Sequence, residues 1–584
     1  MAFKLPTVAN SDELSSAVPI RKIRLRDLVH TPRTDLMVSR EQYYVCSQND
    51  TKEFDIDGNF IRFGKQTDIP SLGYVPLKRR KPSARMDVPK IITNEFTAMV
   101  FGLDKFPKLI IQGDPDAEDF AQELAKQSKL PLRMMEARSK GGSQGTAVLS
   151  WGFVNGKPMV EVHNAAHCEV LEWTDYDQRK PGIVLKVYTY QRKVWDNDGK
   201  PSLKTYYYAR FWDSNLDVCW QDIPEEIAAT NQWWKHPSKL VEHNAGFCPV
   251  YWVQNFPKSD ELDGVPDYDE SSHDNFDQMD MLLSMTCRGT TASVDPTVVV
   301  HAPPESNDGF VRTGTGRAIY SEKGAEYLEL QGPGIMAARE LLKDLKQIEY
   351  DKAGVVVLDQ EKAGGSAISA AAMRQRYARM LVKSDVYREQ YGAAIVEIIK
   401  DMLEVARSLS VVKQDKDKIK YWQKVILPDR VEFEEIEEEP KENEEGDNEE
   451  DSVIERKERK AKMIERKPGK SSNIELKWPP YFAPTWADKK EAVEATSQAT
   501  GKKQLVSQRT GVGAIGPLFG SHDVDMELGE IDADTERTMK RTQTMMENGG
   551  PNPQLQGEKP EKPEKPPFKK ETPPKVNNGK PGTS

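Results

Sequence analysis

The chain has 584 residues, 37% hydrophobic and 30% charged. That is long enough for two or more structural units around a large core, yet polar for a wholly globular protein. Its 82 basic and 93 acidic residues leave a formal charge of -11. This disfavours a static grip on nucleic acid, which needs clustered Lys and Arg, although DNA could pass an acidic wall without being held. The cysteines Cys46, Cys168, Cys219, Cys248 and Cys287 are odd in number and widely spaced, with no C-x-x-C. A disulfide framework or a Cys-rich zinc site is therefore not expected, and a reducing compartment fits. No apolar run approaches the roughly 18 residues of a membrane span, and the opening MAFKLPTVANSDELSS lacks the apolar core of a signal peptide. The protein is expected to be made, and to stay, outside membranes.

Residues 1–85 read as a mixed, turn-rich arm. Its basic cluster KRRKPSAR, Lys78 to Arg85, is either a solvated arm or a phosphate or capsid contact. VPKIITNEFTAMVFG follows with helical apolar spacing, and Gly102 is a natural stop. A second helical region begins at Asp114 with an acidic first turn. From GTAVLSWGFVNGKPMVEV onward the period changes to two, and Asn155-Gly156 marks a hairpin. Further strands are expected at GIVLKVYTYQRKVW, TYYYARFW and LDVCWQ, with a turn at WDNDGK, Trp195 to Lys200. Residues 145–255 thus read as an antiparallel β-rich unit.

The stretch from Val241 to Ala406 is ordered as strand, polar turn, helix, compact β insertion with a Gly-rich hairpin, return helix and long helix. The first helix is expected from about Asp267, with Tyr268, Phe276, Met279, Leu282 and Leu283 near one face, ending before Asp295-Pro296. TVVV and AIYSE read as strands flanking GFVRTGTGR. The return helix spans roughly Ile335 to Ala353. After LDQEKAGGSA, an apolar ladder runs through Tyr377, Met380, Leu381, Tyr387, Tyr391, Ile395, Ile398, Met402 and Ala406. About 40 residues make a rod of roughly 60 Å, about threefold longer than an average helix. Such a rod calls for an extended partner surface, from other subunits or a coiled coil. Gly392 and the irregular stripe speak against a strict heptad. From Glu432 to Asp451 the chain holds 13 acids and one lysine, and Ser452 to Lys470 is basic; this pair of blocks is expected as a solvated excursion. Folded sequence resumes at IELKWPPYFAPTWADKKEAVEATSQAT with helices to about Met546, and 548–584, with EKPEKPEKPP, should be disordered with polyproline bias.

Each motif that could carry chemistry fails its context. Gly141-Gly142-Ser143-Gln144-Gly145 fits G-x-S-x-G, but helix precedes it and strand follows, the reverse of a nucleophile elbow, so it reads as a flexible turn. Gly469-Lys470-Ser471 resembles a P-loop end, but Ile464 stands where the motif needs glycine. His163, His167 and Cys168 lie on strand–turn–strand, where i,i+4 does not share a helical face. Asp267, Asp269 and Glu270 read as helix-dipole complementation. The Trp and Tyr of 145–255 read as core and interface packing in preference to a base-stacking platform. No catalytic residue, cofactor or metal is expected.

Several segments resemble the portal, or head–tail connector, family of tailed double-stranded-DNA phages. They are PSARMDVPKIITNEFTAMVFG, GTAVLSWGFVNGKPMVEVHNAAHCEVLEW, CPVYWVQNF with Gly264 and Asp267, DPTVVVHAP with EYLELQGPG, GGSAISAAAMRQRYARML, and LKWPPYFAPTWADKKEAVEATSQATGKKQLVSQRTGV with ELGEIDADTER. Each is weak alone, and their shared order carries the resemblance over roughly 85–410 and 475–540. It implies an α+β, portal-type fold: an N-terminal arm over 1–85, a β-rich wing over 86–266, stem helix 1 over 267–293, a small α/β clip insertion over 294–334 and stem helix 2 over 335–353. A tunnel loop and long wing helix then occupy 354–410, a strand and charged low-complexity excursion 411–475, a C-terminal helical crown 476–547 and a disordered tail 548–584.

The resemblance further implies a ring of about 12 copies at one capsid vertex, assembled in the host cytoplasm and retained in the virion. The implied partners are the large terminase subunit, major capsid and scaffolding proteins, a head-completion adaptor, and double-stranded DNA passing without sequence specificity. The family places a DNA-facing tunnel loop between the return and long helices. Here that makes Gln360, Glu361, Lys362, Ala363, Gly364 and Gly365 candidates, with glycine freedom and a mixed-charge tip, against the alternative of an ordinary connector. Two rivals stand beside this reading: another structural virion or scaffolding protein, and a DNA-processing enzyme.

Overall fold

The computed structural model describes residue 20 and residues 23–45, 84–102, 104–174, 180–195, 200–235, 237–259, 261–294, 298–300, 318–320, 325–327, 333–357, 370–411, 422, 424–435, 459–482, 486–500, 507–519 and 524–547. Helix and strand are mixed, as expected of an α+β chain. Two compact units divide between Ala483 and Pro484. Residues 476–483, expected with the C-terminal helices, therefore belong to the first unit.

The N-terminal arm is more regular than its composition suggested. Helices α1 (Leu25–Val29) and α2 (Pro32–Tyr44) occupy it. Pro32 takes the first helical position, and the Thr31 hydroxyl accepts from the Thr34 N–H at 3.1 Å. Met37 and Tyr43 are buried by the fold. Residues 78–83 of the basic cluster lie outside the described residues.

The main core forms where helices close over a three-stranded sheet. Helix α3 (Val88–Phe101) buries Val88, Ile92, Phe96 and Val100 at helical spacing, and ends at Gly102, whose N–H reaches Ala98 O at 3.0 Å. After β1 (Lys108–Ile111), Asp114 caps α4 (Pro115–Gln127) through the Ala117 N–H. Helix α5 (Leu130–Gln144) stops at Gly145, held at φ +94°. Strand β2 (Thr146–Val154) follows, buried along all but its last residue. It is the centre of the antiparallel order β3-β2-β9, with β3 (Lys157–His163) and β9 (Val250–Gln254) outside. Asn155 and Gly156, both at positive φ, make the expected tight turn.

The second sheet is a meander of β4 (Cys168–Trp173), β5 (Pro181–Trp195), β6 (Pro201–Trp212), β7 (Leu216–Pro224) and β8 (Lys239–Glu242), all neighbours antiparallel. Leu185, Val187, Ala209, Phe211, Val218 and Trp220 pack on one face with Leu25 and Trp233. A short helix, α6 (Glu225–Ala228), follows β7. Pairing of Trp195 with Pro201 bears out a hairpin there; residues 196–199 lie outside the described residues.

Helices α7 (His273–Val294) and α8 (Pro333–Ala353) form an antiparallel pair. Asn275 at the start of α7 donates to Glu349 near the end of α8 at 2.7 Å, while a Cβ on Gly289 would lie 3.6 Å from Ile335 at the opposite end. Between them, β10 (Val298–Val300) is flanked by β11 (Ala318–Tyr320) and β12 (Ala325–Tyr327). The expected hairpin across GFVRTGTGR is corrected here. Strands β10 and β11 are parallel, a pairing that no tight hairpin can join, and the antiparallel partner of β10 is β12.

The long helix is present as α9 (Ala370–Arg376) and α10 (Ala378–Val411), the ladder carried past Tyr377 by its N–H to Met373 O and by Leu381 N–H to Tyr377 O. Its need for an outside partner is corrected. Tyr387, Tyr391, Ile395, Ile398 and Met402 are buried in the protomer's own core. At Gly392 the helix comes close to Leu476 and Trp478 of the segment holding β15 (Ile474–Lys477), which pairs antiparallel with β1.

The charged excursion begins and ends as a ribbon. Strand β13 (Arg430–Glu435) pairs antiparallel with β14 (Arg459–Ile464), setting Glu432 opposite Lys462 and Glu434 opposite Lys460. The second unit holds α11 (Trp486–Thr500), α12 (Gln508–Phe519) and α13 (Val524–Glu547), each packed on the next. Residues 548–584 lie outside the described residues.

Trp422 plugs the open face of β2. It stacks on His243 with centroids 4.7 Å apart and contacts Trp151 and Phe153 at 4.9 and 5.8 Å. Trp422→Ala should lower stability by about 3–5 kcal/mol through the cavity it leaves. Thermal unfolding of the two proteins side by side checks this; an unchanged melting temperature would show that the plug is dispensable.

Candidate functional site

The tunnel-loop candidates Gln360, Glu361, Lys362, Ala363, Gly364 and Gly365 lie outside the described residues, but both of their flanks are anchored. Helix α8 ends at Gly354, held at φ +73°, with the Val355 N–H on Tyr350 O at 2.9 Å. From α10, Lys383 donates to Ala353 O at 2.6 Å. The chain therefore leaves α8 beside the start of the long helix.

Immediately beneath this point is a buried clamp. Asp267 is not a first-turn charge: α7 begins at His273, and the Asp267 side chain is fully buried. Arg138 of α5 donates to both of its oxygens, at 3.1 and 2.9 Å. Asn255 Nδ2 and Tyr387 Oη donate to Oδ1 at 3.1 and 3.0 Å, and the Asp267 N–H reaches Gly142 O at 2.8 Å. Tyr391 Oη donates to Asn255 Oδ1 at 3.1 Å. The Arg138 guanidinium lies 3.9 Å from the Tyr387 ring centroid. Burial alone would lower the Arg138 pKa, but Asp267, Tyr387 and Tyr391 hold it above the usual arginine value. Burial and Asp267 push the Tyr387 phenol well up.

The G-x-S-x-G segment supports this clamp, which corrects its reading as a flexible turn. Residues 141–144 complete α5 and are buried. A Cβ on Gly141 would meet Tyr391 Oη at 2.0 Å, and one on Gly142 would meet Asp267 Oδ2 at 2.2 Å. The glycines are needed because the aspartate and tyrosine approach the helix backbone directly.

A second polar cluster fixes the root of the α7–α8 pair. Tyr43 donates to Asp277 at 3.2 Å and stacks on His273 at 3.9 Å. The Met86 N–H donates to Asp280 Oδ1 at 3.0 Å, and Ser284 Oγ accepts from the Ala84 N–H at 2.9 Å. Burial, with Asp277 adding to it, raises the Asp280 pKa to about 6. Reading the sequence missed this cluster. The available signal was D-x-x-D-x-x-x-S on the face of α7 that also carries apolar residues.

The remaining motifs are accounted for by packing. The Lys470 and Ser471 N–H groups bind Asp114 Oδ2 at 2.6 and 2.9 Å, and these hydrogen bonds hold the Asp114 carboxyl below its ordinary pKa. A carboxylate of the chain itself thus occupies the place that an anion would take, and Arg407 grips the same loop through the Pro468, Gly469 and Ser471 carbonyls. His163 bonds Ser150 Oγ at 2.7 Å, and burial, then Lys186, lowers its pKa well below the ordinary value. Burial pushes the Cys168 thiol up to about 12. Among the described residues no three His, Cys, Asp or Glu side chains gather as a metal site, and no helix is long and apolar enough to cross a membrane. The tyrosines of β5 and β6 form a half-buried cross-strand ladder, Tyr188 on Tyr208 at 4.8 Å and Tyr190 on Tyr206 at 6.2 Å.

The chain matches no protein-family model and no curated protein.

Two outcomes are expected at these clusters. Asp267→Ala leaves Arg138 buried and unpaired, so it should cost about 3–5 kcal/mol in chemical denaturation; a loss under about 1 kcal/mol would remove the clamp from its structural role. Asp280 titrates at about 6 folded against an ordinary 3.8, so it costs nothing below the lower value and its full cost is present above the higher one. Asp280→Asn keeps an acceptor for Met86. It should therefore be more stable than the parent by up to ~3 kcal/mol at pH 7.5 and equal to it near pH 3.5. A difference independent of pH would reject the assignment.

Proposed function

We propose that this chain is a phage portal protein. In this reading it forms a ring of about 12 copies at one capsid vertex, through which double-stranded DNA is packaged and later released without sequence recognition. The observation that carries the reading is the α7–α8 pair. It is an antiparallel helical stem with a three-stranded module between its two helices at one end, a clamp to a β-rich body at the other, and the long helix directly after it. Met285, Met336, Leu341 and Ile348 on this pair are 45%, 66%, 44% and 47% exposed, whereas Tyr387, Tyr391, Ile395, Ile398 and Met402 of the long helix are buried. Those apolar groups are what a lateral neighbour would cover. A ring uses such surfaces as head-to-tail contacts that close by rotation. The portal reading also brings the large terminase subunit, capsid and scaffolding proteins and a head-completion adaptor as partners, and the virion vertex as location. It assigns no reaction to the chain.

Negative-stain images and mass photometry should show rings of about 12 copies, the number being the family's. Met336→Glu combined with Ile348→Glu should shift the protein to smaller species by at least about tenfold in half-assembly concentration while leaving its circular dichroism unchanged. Monomers or dimers alone, at micromolar protein across salt conditions, would falsify the ring.

A further inference from the structure

Among the described residues of the first unit, two sheet edges of opposite charge have no strand beside them. Strand β4 accompanies β5 only through Lys186, whereas β6 accompanies it to Trp195. Among the described residues, the outer edge of β5 from Thr189 to Trp195 therefore has no strand beside it. In an antiparallel ladder alternate residues turn their N–H and C=O groups away from their partner, so this edge presents a row of backbone donors and acceptors. Thr189, Gln191, Arg192, Lys193 and Trp195 are exposed along it. Trp195 is 68% exposed, and Leu203, opposite Lys193, is 64% exposed. A long edge with exposed apolar residues invites strand addition unless something covers it. Arg192, Lys193, Lys200 and Lys204 outnumber Asp196 and Asp198 on this arm, which is therefore basic on a chain of net charge -11.

The second edge belongs to β13. Its sheet has two strands, so one side of β13 is paired to β14 and the other is open among the described residues. Its sequence is R-V-E-F-E-E, and the strand paired to it is basic. An acidic strand with a basic strand on one side is matched by a second basic strand on the other, since cross-strand charge pairs favour opposite signs. The two edges arise from different parts of the unit. Strand β5 belongs to the meander sheet, while β14 leads into Arg466, which is tied to Asp119 and Glu123 of α4.

We infer that the open edge of β5 in one copy adds to the open edge of β13 in the next copy, joining the meander and the ribbon into one sheet across the subunit boundary. The two patches differ, so the contact is head-to-tail and propagates around a ring; the inference rests on the ring proposed above.

The test uses the full chain and charge exchange. Arg192→Glu with Lys193→Glu, and separately Glu432→Lys with Glu434→Lys, should each raise the half-assembly concentration by about tenfold or more, and the fourfold combination should return it close to the parent. The Arg192 contact to Asp222 is solvent-exposed, so its loss should leave the fold intact, and circular dichroism of each variant checks this. Lys193→Cys paired with Glu434→Cys should give an intermolecular disulfide ladder under mild oxidation that neither single variant gives. Rings that tolerate both reversals and give no ladder would overturn this contact and leave the ring reading standing. Weakening without rescue would overturn β13 as the partner. A parent protein that never assembles would overturn the ring reading and this contact with it.

Discussion

The first unit depends on one ion pair removed from water. Arg138 belongs to the helix that precedes the central strand, and Asp267 to the turn that leads into the stem pair, so their bidentate contact joins the body to the stem. Replacing a buried pair of this kind by apolar side chains is often neutral or stabilising, so its existence is not explained by stability alone. It specifies position. A guanidinium with its face on Tyr387 and its edge on a carboxylate tolerates little sliding, and the carboxylate is held in turn by Asn255 and the Tyr387 hydroxyl. The long helix contributes two of the tyrosines, so three stretches distant in sequence meet at one charge.

That meeting dictates the surrounding sequence. Gly141 and Gly142 lack side chains because Tyr391 and Asp267 occupy the space. Gly145 turns the chain at positive φ so that its carbonyl can accept from the Asn255 N–H at 2.8 Å. The same compactness explains why the apolar ladder of the long helix, from Tyr387 to Met402, is covered within its own chain.

Local patterns disclosed the local elements. Period-two alternation and Asn155-Gly156 marked β2 and β3, Gly102 and Asp114 marked helix ends, and the apolar ladder marked the long helix. What they could not disclose was the partner of each surface. Asp267 looked like a helix-dipole charge because an amphipathic helix follows it, and its arginine lies 129 positions earlier. The irregular stripe of α10 hinted at a three-dimensional environment, but spacing does not distinguish a neighbour in the same chain from one in another. The polar cluster at Asp277 and Asp280 was missed for a related reason: on an exposed helix such residues are ordinary, and only burial raises the pKa of Asp280. The Thr31-Pro32 start of α2 was readable, and the composition of the surrounding arm masked it.

The pairing of β1 with β15 sets an order on synthesis. Ile111 is opposite Ile474, so the strand that emerges early has no mate until the charged blocks and the whole long helix have left the ribosome. Until then Leu109 and Ile111, both buried in the finished unit, wait as an apolar edge in a growing chain. A messenger truncated anywhere between these strands would yield a product with that edge permanently open, a ready substrate for quality-control proteases and holdases.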